Sequence, residues 1–339
     1  MRSTYGENLK LTIFGTSHGP EIGMTLEGIP AGLPVDLEKL QVFMNRRAPG
    51  RNEWSTARKE ADIPHFLSGI TVGFTNGETI EAVIYNENVR KSDYNDLKYI
   101  PRPGHADYAA WMKYGLDFDM SGGGPFSGRM TAPMCIAGGL CKQWLETKGI
   151  KISAHILQIG SIHRSIAKNF DSEIYNEIEK AKQNDDSVGG RIACSITGVP
   201  CGLGGELFSG IESHLAQILY SIPAVKSVGF GASDEFPYLA GSESNDAFIL
   251  EDGTVKTQTN HCGGILGGIS TGMPIEFDVT FKPTPSIGKP QKSVNLKTME
   301  EVTIKIKGRH DPCIVPRAVP VVEAAAAIAI YDLILGNNK

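Results

Sequence analysis

A six-residue turn occurs twice in this chain. Gly28-Ile29-Pro30-Ala31-Gly32-Leu33 returns 170 residues further on as Gly198-Val199-Pro200-Cys201-Gly202-Leu203, a separation of half the 339-residue length. Each copy follows a stretch of alternating apolar residues (23–27 and 191–197) and precedes a segment of helical period (37–47 and 210–220). Leu67-Ser68-Gly69-Ile70 is echoed by Leu266-Gly267-Gly268-Ile269, and both halves close on an arginine, a proline and a long apolar segment, 129–148 and 317–335. A helix apolar on most of its faces is buried on most of them. Matching elements in matching order imply one domain of two pseudo-repeats, about 1–150 and 188–339, sharing a core and joined by the polar stretch 167–187. Thr75-Asn76-Gly77 and Glu251-Asp252-Gly253 read as hairpin turns, which favours antiparallel sheets packed on helices over a doubly wound parallel sheet. The expected fold is therefore α/β, of the α+β type.

The net charge of −5 argues against a general affinity for nucleic acid, which needs a basic face. Positive charge is instead concentrated locally. Arginines gather in or beside Asn45-Arg46-Arg47-Ala48-Pro49-Gly50-Arg51, Arg102-Pro103-Gly104-His105-Ala106-Asp107-Tyr108, Gly122-Gly123-Gly124-Pro125-Phe126-Ser127-Gly128-Arg129 and Gly308-Arg309-His310-Asp311-Pro312, while lysines are scattered. Arginine gives planar, two-pronged grips on carboxylate and phosphate. With histidines on the same glycine- and proline-rich loops, the pattern suggests a small polyanion handled by acid–base chemistry. Cysteines 135, 141, 194, 201, 262 and 313 fall mostly in apolar stretches without C-x-x-C pairing and read as thiols of a reducing cytoplasm. Met1-Arg2-Ser3-Thr4-Tyr5-Gly6 lacks an apolar signal core, and no stretch reads as the ~20 uninterrupted apolar residues of a membrane span.

Ser17-His18 lies between two glycines after the apolar strand 11–14, so the histidine is either a general acid or a turn residue exposed to water. Arg102 precedes a proline and is held extended. His105 then stands at the start of a helix whose first turn holds Asp107; the helix dipole there disfavours an imidazolium, so the ring is either a proton shuttle or a helix cap in a packed interior. A metal site at His105-x-Asp107 lacks partner ligands nearby. Gly122-Gly123-Gly124 before a helix is a place for phosphate to meet unsatisfied N–H groups, although it is neither G-x-G-x-x-G nor a P-loop. Gly263 to Gly268 and Lys282-Pro283-Thr284-Pro285-Ser286 complete a set of loops able to wrap a phosphorylated cofactor.

Phe14-Gly15-Thr16-Ser17-His18-Gly19, the Arg102–Tyr108 segment, His261-Cys262-Gly263-Gly264-Ile265-Leu266-Gly267-Gly268-Ile269 and Lys307-Gly308-Arg309-His310-Asp311-Pro312-Cys313, in this order, resemble the chorismate synthase family over nearly the whole chain. The resemblance implies a cytoplasmic lyase of aromatic amino acid biosynthesis in the shikimate pathway. Such an enzyme converts 5-enolpyruvylshikimate 3-phosphate into chorismate and phosphate by 1,4-elimination. It further implies a reduced FMN cofactor, NADPH as indirect electron source, a homotetramer, and a sandwich of helices between antiparallel sheets. By resemblance, His18 is the acid that assists phosphate departure, and His105 manages the flavin's proton near N1. Asp311, with Ser17, serves flavin N5. Arg46, Arg47, Arg102 and Arg129 match substrate or NADPH contacts. Ser127, Pro125, Phe126, Ala224, Gly267, Lys282, Pro283, Thr284, Pro285, Ser286 and Arg309 match the flavin site.

The chain departs from the family pattern at several positions. Pro125-Phe126-Ser127 stands where Arg-Ser-Ser is frequent, Ala48 and Glu53 replace arginines, and Pro223 replaces an asparagine beside Ala224. None of these touches His18, His105 or Asp311, so an active enzyme with a rebuilt pocket rim is expected. The alternatives are an NAD(P)H-dependent flavin reductase and a non-enzymatic FMN- or phosphate-binding module. The second would give no reason for Ser17-His18 and Asp311.

Overall fold

The structure, a computed structural model, describes residues 2–48, 62–86, 98–306 and 311–337. Each repeated turn is closed by one hydroxyl on a later strand. Thr75 Oγ1 accepts from Leu33 N at 2.9 Å and donates to Pro30 O at 2.7 Å. Ser270 Oγ likewise accepts from Leu203 N at 2.9 Å and donates to Pro200 O at 2.6 Å. Backbone bonds repeat as well: Gly32 N to Thr75 O and Gly202 N to Ser270 O. These contacts pair Thr75 with Ser270 and correct the register read from the sequence. Asn76 N and Thr271 N bond to Gly69 O and Gly264 O, so Gly69-Ile70 answers to Gly264-Ile265, four residues before the expected echo.

The strand before each turn is the centre of a five-stranded sheet. One sheet runs Arg2–Tyr5, Lys10–Gly15, Glu21–Glu27, Ile80–Tyr85, His65–Ser68; the other runs Ile162–His163, Lys151–Ile159, Gly190–Thr197, Ile275–Phe281, Val225–Phe230. All pairings in both are antiparallel. Asp252 and Gly253 form the expected hairpin turn, with φ of 49° and 76° between paired Glu251 and Thr254. Asn76-Gly77 does not: Asn76 Oδ1 accepts from Glu78 N, and Phe74–Thr75 pairs back onto Ile70–Thr71.

Between the sheets lie the two long apolar helices. Asp36 caps Leu37–Arg47 by accepting Lys39 N at 2.8 Å. Thr131–Thr147 packs on the first sheet, Val315–Asn337 on the second, and the two helices pack on each other. They approach so closely at Gly138 that a Cβ there would lie 2.4 Å from Ala324 Cα. Val315–Asn337 is long and apolar enough by mean hydropathy to cross a membrane, although Arg317, Glu323 and Asp332 interrupt it, and nearly all of it is buried in the core of this fold. The polar connection between the halves carries the helix Phe170–Gln183, which buries only Phe170, Ile174 and Ile178. All six cysteines are free thiols.

Candidate active site

Lys10–Gly15 ends at Gly15 (φ 92°), and the next turn carries Ser17 and His18 into the interior, 1% and 8% exposed. His18 is therefore not a water-exposed turn residue. Ser17 Oγ lies 3.1 Å from His18 Nδ1 and 3.2 and 3.1 Å from the carbonyls of Ser121 and Gly122. If the hydroxyl donates to a carbonyl, it accepts from Nδ1–H and fixes that ring's tautomer. Gly122, Gly123 and Gly124 have φ of 59°, 91° and 52°, a region closed to most side-chain-bearing residues. A Cβ on Gly122 would lie 1.9 Å from His18 Cε1, and one on Gly123 3.1 Å from His105 Nε2. The glycine run is thus a thin wall against which two imidazoles pack. It does not open the helix Thr131–Thr147 as a phosphate-facing N-terminus; the short turn Gly128–Met130 stands between.

His105 lies two residues before the helix Asp107–Tyr114, which has no side-chain cap. The group that orients its ring is not the helix end but Asp107, whose Oδ1 stands 2.8 Å from Nδ1. Asp107 also holds Arg102 in a two-pronged pair, with Nε to Oδ2 and Nη2 to Oδ1 both 2.7 Å. Burial alone would raise the Asp107 carboxyl; hydrogen bonds from Arg102 and His105 outweigh it and hold the group well below the usual carboxylate range. With Nδ1–H directed at this carboxylate, Nε2 of His105 is the nitrogen presented to the glycine wall.

Two further arginines converge on Asp62. Its Oδ2 accepts from Arg47 Nη1 and its Oδ1 from Arg129 Nη1. Burial would raise this carboxyl too, but the flanking guanidinium groups of Arg47 and Arg129 draw it below its ordinary value. Arg317, in the first turn of Val315–Asn337, donates from Nη1 to Asp311 and from Nε to Arg47 O at 3.1 Å.

These groups surround one cavity of about 880 Å³ at the junction of the halves. The first half lines it with Arg47, Arg102, His105, Arg129 and the run Pro125, Phe126, Ser127; the second with Ala224, Lys226, Lys282, Thr284, Pro285, Ser286, Asp311 and Arg317. Ala224 carries a φ of 75°, strain that a non-glycine residue holds only when its surroundings impose it. Lys282 Nζ donates to Gly104 O across the junction. Burial, then the neighbouring Lys226, push its ammonium below the usual lysine value. Thr284 Oγ1 is buried without a hydrogen-bond partner.

Several expected site residues lie elsewhere. Arg46 turns away from the cavity and grips Glu323 at 2.8 and 2.9 Å. Gly267 is exposed on the hairpin Ile265–Ser270, and Pro283 does not line the cavity. Ser17 and His18 stand behind Gly122 rather than on the wall, and no hydrogen bond joins Ser17 to Asp311. Arg309, like Glu53, lies outside the described residues. Asp62, Lys226 and Arg317 were not singled out as site residues from the sequence. Only Arg317 carried a signal, as the arginine opening the second long apolar helix.

The family model for chorismate synthase matches residues 9–335. The chain is similar to the chorismate synthase of Lancefieldella parvula, 44% identical over 365 residues covering 98% of this chain and 96% of the relative. The chorismate synthase of Thermococcus kodakarensis is 44% identical over 344 residues, and that of Pyrococcus abyssi 45% over 345, each alignment covering 97% of both chains. A crystal structure of chorismate synthase superposes with a TM-score of 0.76 at 26% identity, covering 98% of this chain and 93% of the other.

Proposed function

This chain belongs to the chorismate synthase family, and from that membership we propose that its substrate is bound in the cavity between the two halves. The protein is a lyase of the shikimate pathway that converts 5-enolpyruvylshikimate 3-phosphate into chorismate and phosphate. One observation carries the placement: Arg47, Arg102, Arg129 and Arg317 line a single cavity, each hydrogen-bonded to a carboxylate. A guanidinium so held meets phosphate or carboxylate with little rearrangement, the preorganised electrostatics that stabilises charge growing on a leaving phosphate.

In this reading Arg47, Arg102 and Arg129 take the phosphate and carboxylates of the substrate. His18 is the acid beside the departing phosphate, reaching it past Gly122. His105 holds or moves a proton at Nε2, with Nδ1–H anchored on Asp107. Asp311 is the carboxylate on the opposite wall, with Ser17 acting through His18.

Family membership implies a flavin, and the specific cofactor in this proposal is reduced FMN. The residues present fit it: the unpartnered Thr284 hydroxyl and the Lys282 ammonium share one stretch of the wall, suited to a phosphate group. Lys282, Thr284 and Ser286 would hold that phosphate; Pro125, Phe126, Ser127, Ala224 and Pro285 would flank the ring. Bound reduced FMN supplies electron density on loan to the substrate, leaving no net redox change. The reading extends to NADPH as indirect electron source, a homotetramer, a cytoplasmic setting, and one domain of two repeats.

The test is an anaerobic assay with chemically reduced FMN and the enolpyruvyl substrate. Chorismate formed without NADPH is the expected result. Flavin turnover that requires NADPH and yields no chorismate would instead identify a flavin reductase.

A further inference from the structure

We propose that Asp62 is a positioning residue, clamping Arg47 and Arg129 from behind so that both guanidinium groups face an anionic group of the substrate. The inference rests on the reading of those arginines as substrate grips. Asp62 has a fully buried side chain, and each of its oxygens accepts from a different arginine. Both arginines line the cavity while Asp62 does not, so the carboxylate lies behind the cations rather than between them and a ligand. The clamp has further fixed points. Arg47 Nε donates to Thr131 Oγ1 at 3.1 Å, its Nη2 to Gly128 O at 3.3 Å, and Arg129 Nε to Asn86 Oδ1 at 3.3 Å. Each guanidinium is thereby held at more than one nitrogen, which sets its plane as well as its place.

The backbone supports the same conclusion. Asp62 has a φ of 47°, in the left-handed region that aspartate tolerates better than most residues. Strain of this kind persists where the surroundings over-determine it. Charge counting points the same way: one carboxylate between two guanidinium groups leaves a surplus positive charge at the wall. Arg317 is close enough to Asp62 to lower its carboxyl further, but its own charge is matched by Asp311. The opposite role, in which Asp62 fills the anion site until substrate displaces it, needs the carboxylate on the cavity wall. It also makes the opposite prediction, tighter substrate binding when the charge is removed.

A second carboxylate in the fold serves as a control. Glu323 is 2% exposed and bonds Arg46 and Lys142, but it belongs to the helix core away from the cavity. Breaking either cluster should destabilise the fold, because ion pairs built on a buried carboxylate are lost. Only breaking the Asp62 cluster should alter substrate binding.

The experiment is a double-mutant cycle on the full chain with chemically reduced FMN, reading melting temperature and KM for 5-enolpyruvylshikimate 3-phosphate. Asp62→Asn is expected to raise KM by roughly 10-fold or more, the size of one lost charge-assisted hydrogen bond. Arg129→Lys should do the same, and the double variant should rise little beyond the larger single effect, since the pair acts as one unit. Glu323→Gln should lower the melting temperature and leave KM unchanged. An unchanged or lowered KM in Asp62→Asn overturns the clamp, as do additive effects in the double variant or an equal KM rise in Glu323→Gln. Unchanged KM in Arg129→Lys overturns the site reading itself, and the clamp with it. Should Asp62→Asn not fold, Asp62→Glu keeps the charge while shifting both guanidinium groups by a methylene. A several-fold rise in KM with a near-normal melting curve is then expected, and an unchanged KM sinks the proposal.

Discussion

In the first half, Thr75 ties the repeated turn to the central strand's neighbourhood, and in the second Ser270 does so with the same two bonds. Around this shared frame the loops differ. The first half contributes both histidines, the glycine wall, and the arginine–carboxylate groups built on Asp62 and Asp107. The second contributes Lys282, Thr284, Ser286 and the Asp311–Arg317 pair. The frame repeats because buried backbone groups at a turn must be hydrogen-bonded in either copy. The loops are free to diverge because they run over the surface of that frame. In the proposed reading the first half handles the substrate's charges and protons, and the second handles the cofactor's phosphate.

The largest effect expected from breaking this division is in the first half. His105→Ala should keep the fold and lower turnover by roughly 10²–10⁴, the usual range for a lost positioned proton donor or acceptor; normal turnover would make the ring structural. Asp311→Asn tests the second half. It should slow single turnover with prereduced FMN while substrate and flavin binding persist, and it should also lower the melting temperature, because the part-buried Arg317 loses its counter-charge. A normal single-turnover rate would remove Asp311 from the chemistry.

Next in size are the arginines that stand near the start of each half's long helix. Arg317→Lys should weaken substrate binding less than Arg129→Lys, by several-fold in KM rather than roughly 10-fold, since Arg317 is held mainly by Asp311 and the Arg47 carbonyl. Equal effects would mean that both halves grip the substrate.

A smaller effect concerns pH. Asp62 and Asp107 have carboxyls held low in the folded chain, so the stability they give is complete above the ordinary carboxyl value of about 4. It is lost as pH falls through their lower folded values. Melting temperature against pH should drop on this acid side, and Asp107→Asn should flatten the drop at the expense of stability near neutral pH. An unchanged acid limb would mean that Asp107 is not ionised in the fold.

Smallest for activity, and the sharpest check of the shared frame, is the pair Thr75→Val and Ser270→Ala. Each strands one buried N–H and one carbonyl and should cost about 1–3 kcal/mol in stability, with little change in kcat. A cost confined to one half would show that the two turns are not equivalent in energy.

Much of this organisation was legible along the chain. The helix Leu37–Arg47 has the bounds its periodicity gives, and the repeated turn, central strands and long apolar helices lie where their patterns place them. Arg102, His105 and Asp107 were readable as a group because one local turn brings them together. The echo at Leu266 was misread by four residues, because glycine-rich strings align at several offsets and only the Thr75 and Ser270 bonds choose among them. Asp62 had no signal of its own, as a lone aspartate followed two residues later by a proline.

Adjacent Arg46 and Arg47 mark the boundary between what the sequence determined and what the tertiary structure decided. Local rules suffice for the elements: apolar period, capping residues and turn chemistry act over a few residues and are written in order. They also suffice to say that an anion is handled, because arginine in glycine-rich loops has few other uses. Which arginine handles it is not local. Successive helix residues point about 100° apart, so Arg46 meets Glu323, 277 positions away, while Arg47 meets Asp62 and the cavity. Only the packing of Val315–Asn337 beside Leu37–Arg47 brings a carboxylate to the first and leaves the second at the wall. A charge's role depends on its counter-charge and its access to solvent, and both are set by elements far apart in the chain.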